Sequence, residues 1–445
     1  MVRPGWGTVT VTCALVAELV TALSSPARMA TAPPLRVGTS GDYAPFSVVS
    51  ETAPGGFDGF DVVLARAFAE AEGRPLELVR FRWPELETAL REGRFDVAMS
   101  GVTVRTERSL IGRFSLPVAE SGAVALVRDA KRFPDLASLG RGSPRIVVNA
   151  GGHLEHVARA QFPKAQVVAL ATNDDVRRAI LEGRADAAVS DTLEAREWRR
   201  SAGELLVLGP FSRDRKAPLL RAELSELGAH LDLWLMAREA DGTLAELRKT
   251  WLGDPHAEAT AAPLAALLAA ADERLALMPL VGEAKRRAGL PVADEAQEAR
   301  VLDAALRAVR EAAVQSGRQA PSESSVRSVF QALFATARHL ESEISPTPAR
   351  EPQPNPPSLD GALRPAISRI TPKIAETLVR LGPLPSAVTL RAQVRAALRT
   401  PQVSDQDAQR LADALAEFLD AGGRGVPDTA STGVADSVPA LAGRH

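Results

Sequence analysis

The second half of this sequence places ionisable residues on helix faces that are otherwise apolar. Arg274 and Lys285 are eleven residues apart, about three helical turns, so they share one face of a predicted helix. Glu341 lies on the same stripe as Phe330 and Phe334 of a later helix. Burying such groups is costly unless they bind a ligand or pair with one another. The pattern therefore indicates either a ligand pocket or salt bridges between helices.

Further charged residues lie on the neighbouring predicted helices. Asp294 and Glu298 are four residues apart and share a face of the second helix, and Arg364 begins the fourth. Pro279 lies between the two basic residues of the first helix and predicts a kink there. For each of these charged residues, a structural salt bridge and a ligand contact are both open.

The first half has a carboxylate and a glycine pair where predicted strands give way to helices. Glu194 lies in the first turn of a helix, where a solvated carboxylate would favour the helix dipole. Gly151 and Gly152 precede another helix, so their backbone N–H groups can bind an anion. His153 and His156 share a face of that helix, but we predict no metal site, because no other His or Cys lies nearby in the sequence.

The composition is that of a soluble globular protein with more than one domain. The chain has 445 residues, of which 45% are hydrophobic and 24% charged, and its net charge is -2. No cluster of Lys and Arg is present to bind phosphates, which argues against nucleic acid as a partner. Lysine is rare, because only six of the 53 basic residues are lysines.

Residues 1–30 are interpreted as a secretory signal peptide. Arg3 precedes an apolar run over 9–23, which is shorter than the about 20 residues of a spanning helix. Glu18 interrupts this run, and a membrane anchor is the alternative. The single cysteine, Cys13, lies in this segment, so we expect a mature protein without disulfides or cysteine catalysis. We expect a periplasmic or secreted protein, with no stable membrane insertion after the signal is removed.

The remaining chain divides into two regions with different patterns of apolar residues. Residues 34–254 alternate β-branched runs with helical patterns, which predicts two similar α/β lobes with a cleft between them. Residues 260–420 have the periodicity of a helical bundle. A proline-rich connector spans 345–358, and 421–445 is predicted to be a disordered tail. The predicted helices of the bundle are 263–290, 294–314, 322–344, 359–381 and 405–419.

Several motifs of the first half resemble the periplasmic solute-binding proteins of the polar amino acid type. The resemblance implies the type II fold, in which two α/β lobes are joined by crossing strands and close over a small ligand. The motifs are LRVGTSGDYAPFS at 35–47, GFDV at 59–62, RFDVAMSGVT at 94–103, TER at 106–108 and GTLAELRKTW at 242–251.

Within that family, VNAGGHLE at 148–155 and VSDTLEAR at 189–196 resemble the cyclohexadienyl dehydratases. These enzymes convert prephenate to phenylpyruvate and often arogenate to phenylalanine. The resemblance implies that Glu194 is the catalytic proton donor, with a pKa raised by burial, and that Arg108 holds a carboxylate. The other substrate-binding residues that it implies are Asp42, Tyr43, Trp83, Ser100, Thr103, Asn149, Gly151, Gly152, Asp191 and Lys216.

Two of these positions have simpler interpretations. Asp191 is where plain binding proteins hold the ammonium group of a ligand, so it does not separate an enzyme from a receptor. Lys216 is an ordinary surface lysine in the alternative view.

The second half resembles the exported all-helical chorismate mutases over about 262–381, and more weakly to 420. The motifs are ERL at 273–275, a lysine eleven residues after its arginine, PVADEAQEARVL at 291–302 and LRPAI at 363–367. The resemblance implies that Arg274 and Arg364 bind the carboxylates of chorismate. Lys285 and Glu341 would be catalytic donors to its ether oxygen, while Asp294 and Glu298 would bind its ring hydroxyl.

Two substrate-binding positions depart from the chorismate mutase pattern. Gln297 stands where the family usually has Arg, and Ala337 where it often has Ser or Thr. We therefore expect weaker affinity, compensation by another arginine such as Arg300, or a vestigial mutase.

The two resemblances together predict a secreted bifunctional enzyme of phenylalanine biosynthesis that needs no cofactor or metal. The chorismate mutase, an isomerase, would make prephenate, and the dehydratase, a lyase, would consume prephenate or arogenate. The alternative is a periplasmic amino-acid-binding receptor of a transporter or sensor with a fused helical interaction domain. The sequence leaves open whether the protein forms a homo-oligomer.

Overall fold

The computed structural model describes residues 32–202, 205–253, 259–343 and 356–422. The predicted signal peptide, most of the proline-rich connector and nearly all of the predicted tail lie outside these residues. Within the described ranges, no helix combines the length and the apolar character that a membrane span requires. The described residues form an α/β half followed by a helical half.

The α/β half alternates short strands with helices. Its strands are β1 (Leu35–Thr39), β2 (Asp42–Tyr43), β3 (Ser47–Val49), β4 (Phe57–Asp58), β5 (Leu76–Arg80), β6 (Val97–Ala98), β7 (Gly112–Phe114), β8 (Ala119–Ser121), β9 (Ala123–Val127), β10 (Arg145–Asn149), β11 (Gln166–Leu170), β12 (Ala187–Asp191), β13 (Leu206–Leu208), β14 (Asp214–Lys216) and β15 (Leu219–Arg221). Its helices are α1 (Phe60–Ala71), α2 (Leu86–Arg91), α3 (Thr106–Ile111), α4 (Leu136–Arg141), α5 (His153–Gln161), α6 (Asn173–Leu181), α7 (Thr192–Ala202), α8 (Ser225–Ala240) and α9 (Thr243–Leu252).

Two five-stranded sheets form the two lobes. The first has the order β5-β1-β6-β15-β7, and the second has the order β11-β10-β12-β9-β13. In each sheet the first three strands are parallel and the last two run antiparallel to their neighbours. Leu35 and Val37 of β1 are fully buried, as expected for a parallel strand covered on both faces.

A separate pair of strands connects the two lobes. β8 and β14 are antiparallel and lie outside both five-stranded sheets. The chain passes through β8 on its way from β7 in the first lobe to β9 in the second, and through β14 on its way back to β15. Two lobes joined by two crossing strands confirm the predicted fold, which can open and close about this hinge.

The helical half packs around one hydrophobic core. Three helix pairs make its main contacts, α12 with α14, α13 with α16, and α10 with α14. A π-helical turn, Leu359–Leu363, leads into α14. The helices are α10 (Pro263–Leu275), α11 (Met278–Arg287), α12 (Glu295–Ser316), α13 (Glu323–Ser342), α14 (Arg364–Arg380), α15 (Ala387–Ala397) and α16 (Asp405–Gly422).

The helical half corrects two predictions. The single helix predicted over 263–290 is two helices, because Pro279 lacks an N–H group and its ring excludes a regular bond to the carbonyl of Leu275. A helix over Ala387–Ala397 was not predicted. Ser386 caps it by accepting a hydrogen bond from the backbone N–H of Thr389, so a serine before an alanine-rich run was its sequence signal.

The two halves are joined by a polar interface that is largely buried. Lys373 of α14 lies 2.5 Å from the carboxylate of Glu273 in α10 and donates a hydrogen bond to the carbonyl of Phe114 in β7. Ser109 of α3 donates to the same Glu273 carboxylate over 3.0 Å. Ala266 of α10 packs in the hydrophobic core of the first lobe. The interface therefore joins the two halves through charge and apolar contact together.

Candidate active sites

The cleft between the two lobes gathers most of the residues predicted from the first half. It is nearly closed, with a volume of about 30 Å³, room for about two water molecules. Gly151 of the second lobe has a φ of +68°, and a Cβ added there would lie 3.0 Å from the Cα of Pro84 in the first lobe. A ligand larger than about two water molecules can therefore enter only if the lobes separate. The predicted residues that line the cleft are Tyr43, Trp83, Thr103, Arg108, Asn149, Gly152 and Lys216.

Lys216 lies at the centre of a buried hydrogen-bond network. Its Nζ is 3.0 Å from Asp191 Oδ2, and it donates to Tyr43 Oη over 2.8 Å and to Thr103 Oγ1 over 3.0 Å. Tyr43 in turn donates to Asp191. Burial and the charge of Asp191 raise the pKa of Tyr43 well above its ordinary value, so the phenol stays protonated. Because Lys216 is only 2% exposed, the interpretation as an ordinary surface lysine is wrong.

Glu194 is buried behind this network rather than solvated. It is 2% exposed, and Ser190 Oγ donates a hydrogen bond to its Oε2 over 2.5 Å. Burial, and secondly the charge of Asp191, raise the pKa of Glu194 well above its ordinary value. Asp191 has backbone partners, because its Oδ1 accepts hydrogen bonds from the N–H groups of Leu193 and Glu194. The burial of Glu194 therefore favours its protonated form.

Three buried donors of the cleft have no hydrogen-bond partner among the described residues. They are Nε of Arg108, Nε1 of Trp83 and Nδ2 of Asn149. Arg108 is 1% exposed, and one of its terminal nitrogens donates to the carbonyl of Thr103 over 3.1 Å. Burial, and secondly the charge of Arg105, lower the pKa of Arg108 to about 10. Buried donors without partners are costly, so this wall of the cleft favours a ligand that accepts hydrogen bonds.

Three of the predicted residues have other contacts. Ser100 bonds to Ser40 through its hydroxyl group over 2.9 Å. Asp42 accepts a hydrogen bond from the backbone N–H of Asn173, which links the two lobes at 3.3 Å. The N–H of Gly151 donates to the carboxylate of Glu155 over 2.8 Å and is not directed at the cleft, which differs from the prediction. Glu155 lies in the first turn of α5 and folds back onto that donor, so only Gly152 of the glycine pair lines the cleft.

Sequence reasoning missed an internal support of the cleft. Asp61 is buried in α1, and its carboxylate accepts a hydrogen bond from the backbone N–H of Gly101 over 2.5 Å. Burial raises the pKa of Asp61 to about 7. Gly101 lines the cleft with a φ of +66°, and a Cβ there would lie 2.6 Å from the Tyr43 ring. Asp61 belongs to the GFDV motif, so an acidic residue inside an apolar helix face was the available signal.

His153 pairs with a carboxylate of the hinge rather than with His156. Its Nε2 lies 2.9 Å from Asp214 Oδ1, at the start of β14. His156 bonds to the carbonyl of Gly152 through Nδ1 over 3.1 Å. In the part of the chain that the structure describes, no three His, Cys, Asp or Glu side chains are grouped so that they could hold a metal ion.

The α/β half is similar to known proteins over most of its length. The family of bacterial extracellular solute-binding proteins, family 3, matches residues 35–254. A cyclohexadienyl dehydratase from Pseudomonas aeruginosa is 35% identical over 223 residues, which are 49% of this chain and 82% of the relative. The α/β half belongs to solute-binding protein family 3. It is called the solute-binding domain below.

Other similar proteins are amino-acid-binding proteins. A probable amino-acid ABC transporter-binding protein from Haemophilus influenzae is 30% identical to the solute-binding domain over 226 residues, covering 49% of this chain and 84% of the relative. A crystal structure of an ancestral amino acid-binding protein, described as a precursor of cyclohexadienyl dehydratase, is 31% identical and has a TM-score of 0.47. It covers 49% of this chain and 95% of the ancestral protein.

The helical half contains a second pocket, of about 70 Å³, enclosed by five helices and the π-helical turn. Its floor is apolar and includes Met278, Val281 and Phe334. The structure thus brings together side chains that are up to 90 residues apart in the sequence. The predicted residues that line this pocket are Arg274, Lys285, Asp294, Gln297, Glu298, Ala337, Glu341 and Arg364.

Lys285 and Glu341 form a buried ion pair in this pocket. Lys285 Nζ donates to Glu341 Oε2 over 2.7 Å and to the carbonyl of Val292 over 2.6 Å. Burial raises the pKa of Glu341, although the hydrogen bond from Lys285 opposes this shift. The pair accords with the salt-bridge interpretation of these two residues in this conformation.

Arg274 does not fit the salt-bridge interpretation. It is 4% exposed, and its Nε and Nη1 are buried without a hydrogen-bond partner among the described residues. Its guanidinium group lies 5.5 Å from the centre of the Phe334 ring, where a cation–π contact holds it. Burial lowers the pKa of Arg274 to about 10. An arginine with free buried donors in a pocket favours a ligand with carboxylate groups.

The other charged residues of the pocket are paired at its rim. Arg364 donates to Asp294 Oδ2 over 3.3 Å, and Asp294 caps α12 by accepting from the N–H of Gln297. Glu298 accepts two hydrogen bonds, of 2.6 and 2.7 Å, from one nitrogen of Arg338. Arg338 lines the pocket, and sequence reasoning missed it.

Arg300, the arginine predicted to compensate for Gln297, does not line the pocket. Its side chain is exposed and donates to the amide oxygen of Gln297 over 2.7 Å, outside the residues that line the pocket. Arg338 brings a guanidinium group to the pocket from α13 instead. Arg300 and Gln297 are one turn apart on α12, but Arg300 is exposed whereas Gln297 lines the pocket.

Proposed function

We propose that the solute-binding domain, with boundaries at 34–254, is a prephenate dehydratase of the cyclohexadienyl dehydratase type. The buried Glu194 carries this proposal, because its raised pKa favours the form that can donate a proton. The 35% identity with the Pseudomonas aeruginosa dehydratase supports the same function.

In the proposed reaction Glu194 protonates the ring hydroxyl of prephenate, which leaves as water. The bond from the ring to its carboxylate breaks, carbon dioxide leaves, and the electron pair completes the aromatic ring. Arg108, Lys216 and the N–H of Gly152 supply positive charge and donors to the two carboxylates. Glu194 then regains its proton from solvent. Arogenate carries an ammonium group, for which Asp191 is the candidate partner.

We propose that the helical half, with boundaries at 260–420, is a chorismate mutase. The observation that carries this proposal is the buried guanidinium group of Arg274, with free donors, beside the Lys285–Glu341 pair. The rearrangement of chorismate breaks one C–O bond and forms one C–C bond, with no atom gained or lost. The protein therefore has to hold the dianion folded and stabilise charge that develops on the ether oxygen.

The charges of the proposed mutase pocket suit a dianion. Four cations line it, Arg274, Lys285, Arg338 and Arg364. Three carboxyl groups line it as well, Asp294, Glu298 and Glu341. If Glu341 is protonated, two negative charges remain among the lining residues, which then carry two positive charges in excess; Asp360, outside the lining, offsets part of this excess through its ion pair with Arg364. Protonation also turns Glu341 into a hydrogen-bond donor, so that it and Lys285 can both donate to the ether oxygen.

The proposed mutase gives prephenate, which the proposed dehydratase consumes, so the chain would carry two consecutive steps toward phenylalanine without a cofactor. We propose a periplasmic or secreted location, in line with the solute-binding family. The test is an ultraviolet assay in which the full chain without residues 1–30 receives chorismate. We expect chorismate to disappear and phenylpyruvate to form, and prephenate supplied alone to give phenylpyruvate as well.

An amino-acid receptor is the second candidate function, because the Haemophilus influenzae relative is a probable amino-acid ABC transporter-binding protein. The higher identity with the Pseudomonas aeruginosa dehydratase, 35% against 30% with this relative, weighs against it. The same protein sample separates the two functions. Tight binding of an amino acid, without turnover of chorismate or prephenate, would establish the receptor and exclude both enzymes.

A further inference from the structure

A third cavity lies between the solute-binding domain and the helical half, outside both candidate active sites. Its volume is about 410 Å³, within the range of about 300 to 1,000 Å³ of small-molecule sites, which favour domain interfaces. One side is formed by the crossing strands β8 and β14, and the other by α10 and the end of α15. None of the residues that line it belongs to either candidate active site.

The polar wall of this interface cavity is made of arginines. Arg215 donates to Asp272 Oδ2 over 2.6 Å and to the carbonyl of Ala397 over 2.6 Å. Arg399 pairs with Glu120, while its Nε and Nη1 are buried without a partner among the described residues. Arg213 is exposed at the edge.

The charges of the interface cavity do not cancel. Three arginines line the cavity. Two carboxylates oppose their charge, Glu120 in the lining and Asp272 behind Arg215, so one positive charge is in excess. Burial, and to a lesser extent the charge of Arg399, lower the pKa of Arg215 below its ordinary value. A single excess charge and unfilled guanidinium donors suit one carboxylate group.

The remaining wall is apolar. Leu264, Leu268 and several alanines of α10 and α15 form it. A ligand that fills this space therefore needs an apolar body next to its carboxylate. We infer that the interface cavity is a binding site for a small monocarboxylate with an apolar or aromatic body.

The site lies close to both candidate active sites along the chain. Arg215 directly precedes Lys216 of the cleft, and Asp272 is two residues before Arg274 of the helical pocket. Glu120 and Arg215 also belong to the two strands on which the lobes turn. A monocarboxylate bound here touches the hinge and the helical half together, which is the position of an effector rather than of a substrate.

The test measures binding without turnover, so it does not depend on either proposed activity. The probe is 3-phenylpropanoate, titrated calorimetrically into the full chain, with 3-phenylpropanamide as the uncharged comparison. We expect the carboxylate to bind and the amide to bind at least tenfold more weakly. Arg399→Ala should weaken the binding of the carboxylate at least tenfold. Arg391→Ala removes an exposed arginine outside the cavity and should leave the affinity unchanged.

Three further variants keep the result interpretable. Arg399→Ala also removes the contact with Glu120, so Ala396→Trp is made to fill the cavity mouth without removing a charge, and melting temperatures are recorded for both. Arg108→Ala and Arg274→Ala separate this site from the cleft and the helical pocket, and both should keep the binding. The inference is overturned if the probe does not bind, if Arg399→Ala and Ala396→Trp bind it as tightly as the unmodified chain does, or if Arg108→Ala or Arg274→Ala abolishes its binding.

Discussion

The solute-binding domain and the helical half place the same three kinds of side chain in their candidate sites. Each has a buried arginine, a lysine and a glutamate with a raised pKa. In the cleft, Lys216 pairs with Asp191, and among the described residues no salt bridge joins a cation to the Glu194 carboxyl group. In the helical pocket, Lys285 donates a hydrogen bond to Glu341 and opposes the rise of its pKa. The same residue types therefore leave the glutamate without a cation partner in one site and pair it with the lysine in the other.

The two sites also differ in how they are assembled. The cleft takes residues from two lobes and a crossing strand, so its geometry depends on closure about β8 and β14. The helical pocket is enclosed by helices that share one hydrophobic core. We infer that proton donation suits the first arrangement, because closure excludes water, and that holding a folded dianion suits the second, because the pocket is already formed.

The largest expected effect concerns the acid of the cleft. Glu194→Gln keeps the shape of the side chain, but an amide cannot act as the acid. The rate of prephenate dehydration should therefore fall by about 10²- to 10⁴-fold. Chorismate consumption should be unchanged, because the helical pocket is untouched. Stopped assays with each substrate measure both rates. Glu197→Gln, one turn further along α7, is the matched control, and an equal loss there would remove the special role of Glu194.

The next effect concerns the lysine of the helical pocket. Lys285→Ala removes a donor to the ether oxygen, and chorismate turnover should fall by about 10²- to 10³-fold. Added prephenate should still be converted at the original rate. Lys249→Ala, an exposed lysine paired with Glu246, should alter neither rate. If Lys285→Ala retained full chorismate turnover, the proposed mutase site would be wrong.

A smaller effect is expected for the arginine that the sequence did not single out. Arg338→Ala removes one cation from the pocket and frees Glu298, so the KM for chorismate should rise about tenfold, which corresponds to about 1.4 kcal/mol. Adding Gln297→Arg to this variant should recover part of the loss, because it returns a guanidinium group to the same pocket. Arg300→Ala should leave KM unchanged, and a rise there would restore Arg300 as the compensating residue.

Glu341→Gln should have the smallest effect on chorismate turnover at neutral pH. The pH dependence of that turnover is the sharpest test of the comparison between the two sites. Glu341 donates only when protonated, so chorismate turnover should fall as the pH rises through the pKa of Glu341, which burial raises above its ordinary value. Glu341→Gln donates at every pH and should give a flatter profile with a similar rate at low pH. Identical profiles for the two proteins would show that Glu341 is not a donor.

The sequence predicted those features of the fold that short segments encode. Alternating β-branched runs and helical periodicity were enough for two lobes and a bundle, because each element buries its apolar face locally. One boundary differed at Pro279, where a kink within one helix was predicted and the structure has a break between two helices. The short capped helix after Ser386 was missed because its apolar face is small.

The candidate site residues were found from motifs, but their surroundings were not. Sequence reasoning named Glu194 and Arg274 and left open whether each was solvated, paired or free. Nothing in the spacing of the sequence distinguishes Arg338, which lines the helical pocket, from Arg300, which does not. Which of the two arginines lines the pocket depends on which neighbouring helix covers each face of α12 and α13.

By itself the sequence determined the residue types, the order of the two halves and the motifs that carry both resemblances. Only the tertiary structure decided that Lys216 is buried against Asp191 and that two nitrogens of Arg274 are buried without a hydrogen-bond partner among the described residues. It also decided that a cavity lined by arginines lies between the two halves. The physical reason is that pKa shifts and unfilled donors arise from desolvation and distance. Both are set by segments far apart in the chain, which local periodicity does not bring together.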